Sequence, residues 1–354
     1  MASLISRTEV TLPDPHRVAS LLIEHMQEHD VLCELVDGRT LVDLGVGSGA
    51  IEVTATALKV ELTAQDMGSL ELLRAFVAEH VEEFCEGFTP TIAWRGNVAA
   101  SDRIADFREL TLKSAVELTP KMRRLTFSGE DLARFDSREG IHVRLYFPPD
   151  GVAQPEWPRV GADGQIVWPP EERKPAVRYY TVRCVRPEAG EIDIDFVLHD
   201  DPGPGASFAV RAEPGAVCGM AGPVGKMAPQ SGWTLLAGDE TALPAIARTL
   251  ELMPARARGT ALIEVGGPSE EVRLEAPDGF EIRWLHRSAA PADGGSPLAQ
   301  AVASALRPEA DDAYAWVACE YGAAKEIRAH LRSAWKLARD RHMVVGYWER
   351  APAA

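Results

Sequence analysis

The sequence predicts three parts: a small α+β block, an antiparallel β-barrel, and an α/β domain built on a parallel sheet. Three observations carry this. Residues 1–100 hold two stretches of helical apolar spacing around a strong hairpin turn. Residues 109–228 hold short strands separated by Gly- and Pro-rich loops, the pattern of a small barrel. Residues 229–350 alternate strand with helix, as a parallel sheet requires.

In the first block, Pro13-Asp14-Pro15 opens a helix through Met26, with Val18, Leu21, Leu22 and Met26 at helical spacing. Residues 32–36 and 39–44 flank Asp37-Gly38, a two-residue hairpin turn. Residues 51–62 are rich in β-branched side chains and read as one strand. Ser69 then caps a helix over 70–84 whose apolar face includes Leu73, Phe76, Val77 and Val81. A polar stretch over 95–108 reads as the linker, so the expected domains are 1–100, 108–228 and 229–350.

Barrel strands are expected at 123–128, 142–147, 178–185 and 192–198. The loop 148–175 carries seven prolines and should border something rather than pack as core. Beyond it, strands at 234–237, 260–265, 281–285, 314–318 and 342–348 alternate with helices at 243–252, 298–306 and 323–337.

Composition excludes several classes. At 354 residues, with 46% hydrophobic and 25% charged content, this is an ordinary globular chain with room for several cores. No apolar run is long enough to cross a bilayer, and residues 1–11 lack the apolar core of a secretory signal, so the cytoplasm is expected. A net charge of −16 argues against nucleic-acid or anionic-membrane binding. The five cysteines show no C-x-x-C spacing and give no disulfide, zinc or iron–sulfur framework.

The richest motif is Arg178-Tyr179-Tyr180-Thr181 on a strand. Alternation puts Arg178 and Tyr180 on one face and Thr181 on the other. Arg178 can fork onto phosphate oxygens, Tyr180 can lie against a ring system, and Thr181 can donate to a ring nitrogen. An exposed barrel strand with snorkelling side chains is the plain alternative. The second motif, Gly238-Asp239-Glu240-Thr241-Ala242, follows an apolar strand and opens a helix that Thr241 can cap, a place for a nucleotide. Asp239 and Glu240 would satisfy the helix dipole themselves and repel a phosphate set directly there. Gly346-Tyr347-Trp348 offers two rings, for core packing or for stacking on a ligand.

Two weaker patterns carry other chemistries. Asp43-Leu44-Gly45-Val46-Gly47-Ser48-Gly49 mimics the glycine loop of S-adenosylmethionine methyltransferases, but a strand rather than a helix is expected after it. His25 and His29, beside Glu24 and Glu28, could form a divalent-metal face, with a solvated helix surface as the alternative. No G-x-S-x-G nucleophile elbow is present.

Taken in order, Arg178–Thr181, Asp195-Phe196-Val197-Leu198-His199, Gly203-Pro204-Gly205-Ala206-Ser207, Leu236–Ile246, Trp316-Val317-Ala318-Cys319-Glu320 and Gly346-Tyr347-Trp348 resemble the siderophore-interacting protein family of flavin reductases. The resemblance spans about residues 108–350 and implies a ferredoxin reductase-like fold: an FAD-binding barrel followed by an NAD(P)H-binding α/β domain. It implies FAD on Arg178, Tyr180, Thr181, Val197 and His199, with phosphates on the amides of Ala206 or Ser207. The family's serine could correspond to either residue, and Phe208 replaces the tryptophan that usually follows.

The resemblance also implies NADPH or NADH near Gly238, Asp239, Glu240, Thr241 and Ala242; Trp348 can stack on the flavin or on an aromatic group of the siderophore, or pack as core. Cys319 stands where the family usually has glycine, and a side chain there would narrow the nicotinamide site. The implied activity is cytoplasmic reduction of ferric siderophores, with a ferredoxin as the alternative electron donor. An anionic ferric chelate would need cations, for which Arg183, Arg186 and Lys226 are candidates, and no proton-transferring residue is required. A flavin- or siderophore-binding module without turnover is the other reading of the same motifs. The first block resembles a small uncharacterised domain found ahead of such proteins.

Overall fold

The computed structural model describes residues 3–350 apart from 29–30, 86, 97–103, 105, 139, 153, 162–165, 200–202, 290–294 and 306–309. It divides into two compact units, residues 1–107 with 148–175, and residues 108–147 with 176–354.

In the first unit, β1 (Leu4–Thr11), α1 (Pro15–Glu28), β2 (Leu32–Val36), β3 (Arg39–Asp43), β4 (Gly47–Val53), β5 (Ala57–Ala64), α2 (Met67–Phe84) and β6 (Arg95–Gly96) follow one another. The strands form one antiparallel sheet ordered β2-β3-β4-β5-β1-β6. Val18, Leu22 and Met26 of α1 and Leu70, Leu73 and Val77 of α2 share a core with Val10, Leu58 and Leu62 of the sheet.

Two expectations change in this unit. Residues 51–62 are not one strand, because Thr54 closes a turn onto Ala57. Its Oγ1 accepts from the Ala57 amide at 3.0 Å, and its own amide donates to the Ala57 carbonyl at 2.9 Å. The helix cap is Asp66, whose Oδ1 accepts from the Ser69 amide at 2.8 Å; Ser69 sits inside the first turn. The glycine-rich motif leads, as expected, into a strand and not a helix: residues 44–46 turn between β3 and β4, and Gly47–Gly49 lie in β4. A Cβ on Gly47 would lie 2.4 Å from the Thr63 carbonyl, so close strand packing explains the glycine without a methyl donor. His29 lies outside the described residues, and the described residues contain no cluster of three metal-ligating side chains.

The prolines of residues 148–175 flank a short ladder of β10 (Arg159–Val160) and β11 (Ile166–Val167). Trp157 of this loop packs on Phe107, ring centroids 5.4 Å apart, within the first unit.

The second unit begins at Arg108, one residue into β7 (Phe107–Thr119), and goes on with β8 (Met122–Gly129) and β9 (His142–Phe147). It continues after the loop with β12 (Ala176–Arg186), β13 (Glu191–Val197), α3 (Pro204–Arg211) and β14 (Val217–Val224). The strands close into a six-stranded barrel ordered β12-β13-β8-β7-β14-β9. Alternate residues fill it, as in Val143-Leu145-Phe147 and Ile192-Ile194-Phe196. β7 and β14, which lack a clean alternation, complete the closure.

Then come β15 (Thr234–Gly238), α4 (Leu243–Leu252), β16 (Arg258–Val265), β17 (Gly279–His286), α5 (Pro297–Ser304), β18 (Tyr314–Glu320), α6 (Tyr321–Ser333) and β19 (His342–Trp348). All four strand pairs are parallel, in the order β17-β16-β15-β18-β19. The order reverses between β15 and β18, the position at which doubly wound sheets open a ligand crevice. α6 starts earlier than expected because Glu320 caps it, accepting from the Ala323 amide at 3.0 Å.

Barrel and sheet are tied by a buried cation. Arg248 of α4 is 4% exposed and donates to the carbonyls of Val182 (2.7 Å), Phe135 (3.1 Å) and Ser137 (3.0 Å).

Candidate functional site

The first-motif residues separate by depth. Arg178 is exposed and donates to the Val177 carbonyl at 2.7 Å; among the described residues no carboxylate pairs with it. Tyr180 turns inward against Phe196, ring centroids 4.3 Å apart, and against Phe147 at 6.0 Å. Its ring is therefore already covered, and its hydroxyl is aimed at the first turn of α3. A Cβ on Gly205 would stand 2.0 Å from that hydroxyl, so only glycine fits there.

α3 starts at Gly203-Pro204 with no side-chain cap, while the Ser207 amide already donates to the Gly203 carbonyl at 2.9 Å. This leaves the Gly205 and Ala206 amides of the first turn for an anion. Of the two candidates, Ser207 has its amide engaged within the helix. Val197 is half-buried at the end of β13, and His199 is exposed just beyond it. Phe208 packs on Phe147 in the barrel wall, centroids 5.2 Å apart.

Thr181 is buried on the opposite face of β12, paired across the ladder with His142. Its Oγ1 lies 3.2 Å from His142 Nδ1, and His142 Nε2 lies 2.9 Å from the Tyr347 hydroxyl. The ring is confined: a Cβ on Gly225 (φ +77°) would come within 2.5 Å of His142 Cδ2. Burial, with the positive charge of Arg248 adding to it, lowers the His142 pKa to about 4. The imidazole is thus neutral at physiological pH, and it can donate at one nitrogen and accept at the other.

A pH dependence of stability follows. Between about pH 4 and 6.5 the unfolded chain binds a proton at His142 that the folded chain does not. The stabilisation is complete above the unfolded pKa and is lost as pH falls through this window, by about 3 kcal/mol in total. His342, also held low by burial, adds a term of the same sign. Urea unfolding at pH 7.5 and 5 should show the loss. His142→Phe should flatten it; an unchanged slope would remove His142 as its source.

At the carboxyl edge of the sheet, Gly238 ends β15 in a place without room. A Cβ there would lie 2.4 Å from Ala242 Cβ and 2.7 Å from the Ala318 carbonyl. Thr241 does not cap α4; the N-cap is Ala242, fully buried and without a side-chain bond. The organising residue is Asp239, 3% exposed. Its Oδ1 accepts from the Thr241 amide at 2.9 Å and the Thr241 hydroxyl at 2.5 Å. Its Oδ2 accepts from the Glu320 amide at 3.0 Å and Trp348 Nε1 at 2.8 Å.

Asp239 therefore bridges β15, β18 and β19 at the switch point, although burial still pushes its carboxyl above the ordinary range. Glu240 is bound by Arg287 through both oxygens, at 2.6 and 2.8 Å. Trp348 stays partly exposed while its indole nitrogen is anchored. Cys319 does not narrow this edge, since it is buried in the core beneath α5 and α6.

The basic candidates fare differently from one another. Arg183 makes a two-pronged ion pair with Glu251, and Arg186 is held by Asp193 at 2.7 Å and by Glu191 at 3.0 Å. Their charge is matched locally. Lys226 is exposed, with no ion pair among the described residues. Arg144 was not foreseen: it lies on the outer face of β9, opposite Tyr179 and Ala221, and its buried Nε has no hydrogen-bond partner. That orphaned donor and the uncapped start of α3 fit a phosphate-bearing cofactor such as FAD.

The comparisons agree with this layout. Residues 111–227 match the siderophore-interacting FAD-binding domain, residues 231–351 match the siderophore-interacting protein model, and residues 7–95 match an uncharacterised protein conserved in bacteria. Ferric vibriobactin reductase ViuB of Vibrio cholerae is 34% identical over 237 residues, covering 66% of this chain and 86% of that protein. The NADPH-dependent ferric-chelate reductase of Escherichia coli is 33% identical over 228 residues, 62% and 85% of the two chains.

Among solved structures, a siderophore utilization protein from T. fusca superposes with a TM-score of 0.62 at 35% identity, over 70% of this chain and 94% of that one. The ferredoxin reductase of carbazole 1,9a-dioxygenase, at 14% identity and a TM-score of 0.52 over 72% and 74% of the chains, shares the fold. From residue 111 to 351, this chain belongs to the siderophore-interacting protein family.

Proposed function

We propose that the chain is an FAD-dependent reductase of ferric siderophores, drawing hydride from NADH or NADPH and working in the cytoplasm. The observation that carries this reading is the open start of α3, with Tyr180 seated on Gly205 and Arg178, exposed and paired with no carboxylate among the described residues, two positions before Tyr180 on the strand. Arg178 would fork onto a pyrophosphate, and the Gly205 and Ala206 amides would donate to the same phosphates. Thr181, held by His142, would offer its hydroxyl to a ring nitrogen. Bound FAD supplies a carrier that takes two electrons as hydride and releases them one at a time.

The substrate class follows from the names of the relatives and from coordination chemistry. Hard oxygen ligands grip Fe(III) far more firmly than Fe(II), so reduction alone frees the metal. Lys226 is the exposed cation left for an anionic chelate. No described helix is long and apolar enough to cross a membrane.

An absorption spectrum of the purified protein, followed by anaerobic NADH or NADPH, tests the reading. A flavin spectrum that bleaches with nucleotide and recovers with a ferric chelate is expected. A colourless protein that takes up no FAD would overturn the reading; flavin that neither nucleotide bleaches would point to a binding module or a ferredoxin donor. Arg178→Ala should weaken FAD binding by about tenfold or more, the effect of losing one charge-assisted contact.

A further inference from the structure

Three neighbouring strands deliver charge to one rim. Glu240 follows the end of β15, Glu264 stands one residue before the end of β16, and Arg287 follows the end of β17. Arg287 Nη1 donates to Glu240 at 2.8 Å and to Glu264 at 3.1 Å, and its Nη2 donates to Glu240 at 2.6 Å. Glu264 is 7% exposed and fixed from behind, accepting from the Leu298 amide at 2.8 Å and from the Ser296 hydroxyl at 3.4 Å. Two carboxylates thus hold one guanidinium, and the trio is net negative. The next pair along the rim sets His286 against the carboxylate of Glu271 at 2.8 Å, so it adds no net positive charge.

In a doubly wound sheet a dinucleotide lies across this carboxyl edge. Its adenosine ribose sits near the end of the second strand, where an acid accepts from the 2′-hydroxyl or a free arginine receives a 2′-phosphate. Here the acid is at that place, and the arginine is already taken from two sides. We propose that this rim selects NADH over NADPH, with Glu240 and its hold on Arg287 as the specificity determinant. A ribose diol meets the Glu240 oxygens, each of which accepts one bond from Arg287 and can accept another. A 2′-phosphate dianion meets net negative charge and must draw Arg287 away from two carboxylates.

This rests on the reading of the chain as a nicotinamide-dependent flavoprotein, and two measurements separate the claims. In the first, flavin-loaded protein is mixed anaerobically with NADH or NADPH and the second-order rate constants of bleaching are compared. In the second, calorimetry compares ADP-ribose with 2′-phospho-ADP-ribose, which needs no flavin chemistry. A preference for the unphosphorylated ligand of at least about tenfold is expected in both, the least that a partly screened like-charge contact should give.

Glu240→Gln, which removes one charge and loosens Arg287, should narrow the ratio at least about fivefold on the same grounds. Equal or tighter binding of the 2′-phosphorylated ligand, or a ratio unmoved by Glu240→Gln, would overturn the proposal. If the variant does not fold, the wild-type ratio decides alone. Absence of FAD uptake would strike the proposed function instead.

Discussion

Replacing Asp239 with alanine should cost about 3 kcal/mol of stability, the range for deleting one partner of a buried charged hydrogen-bond network. Four donors converge on its carboxylate, from Thr241 (amide and hydroxyl), Glu320 and Trp348. Deletion would take this acceptor from all four donors, which sit at the ends of three different strands. The loss should be smaller than the sum of four bonds, because burying the carboxyl is itself unfavourable and raises its pKa. Urea denaturation reads the midpoint, and the Trp348 emission reports whether its anchor is gone. Asp239→Asn keeps one acceptor oxygen but turns a donor toward other donors, so it should fall between alanine and wild type. A variant as stable as wild type would mean that the network contributes nothing net.

The second large effect is expected at Gly205. Gly205→Ala drives a methyl into the Tyr180 hydroxyl, so either α3 or the ring must move. Overpacking of this kind costs about 1–3 kcal/mol, which at a binding site is about a tenfold to hundredfold loss of FAD affinity. Tyr180→Phe removes the atom at 2.0 Å but leaves ring carbon Cζ at 3.0 Å, so the double variant should recover part of the loss. Fluorescence titration of FAD into apoprotein across the four proteins of the cycle gives the coupling directly. An unaltered affinity in Gly205→Ala would mean that the first turn of α3 does not hold the cofactor.

How far the sequence led depends on how local the determinants were. The hairpin at Asp37-Gly38, α4 and β19 were placed to within a residue, because turn chemistry and apolar runs lie in the segment itself. Thr54 was overlooked as a turn residue because its side chain closes on a backbone group only three positions on, inside a run with strand character. That Arg178, Tyr180 and Thr181 lie on one strand was legible from their β-branched and aromatic run.

The partners of such residues were not legible. Arg183 looked free until Glu251 appeared against it, and Asp239 looked like an obstacle to phosphate rather than a bridge between strands. His142 carries no local signal; only the strand register that sets it opposite Thr181 gives it a role. Pairings between distant segments are the part of a fold that periodicity does not encode.

β19 has a bulge where Glu320 pairs with Trp348 and Tyr347 is left over. Bulges re-aim side chains, and here two consecutive rings reach different loops, Tyr347 to His142 and Trp348 to Asp239. The last strand of the sheet thus completes contacts with two segments that precede it by 205 and 109 positions, so a truncation before Tyr347 would strip His142 and Asp239 of a partner together.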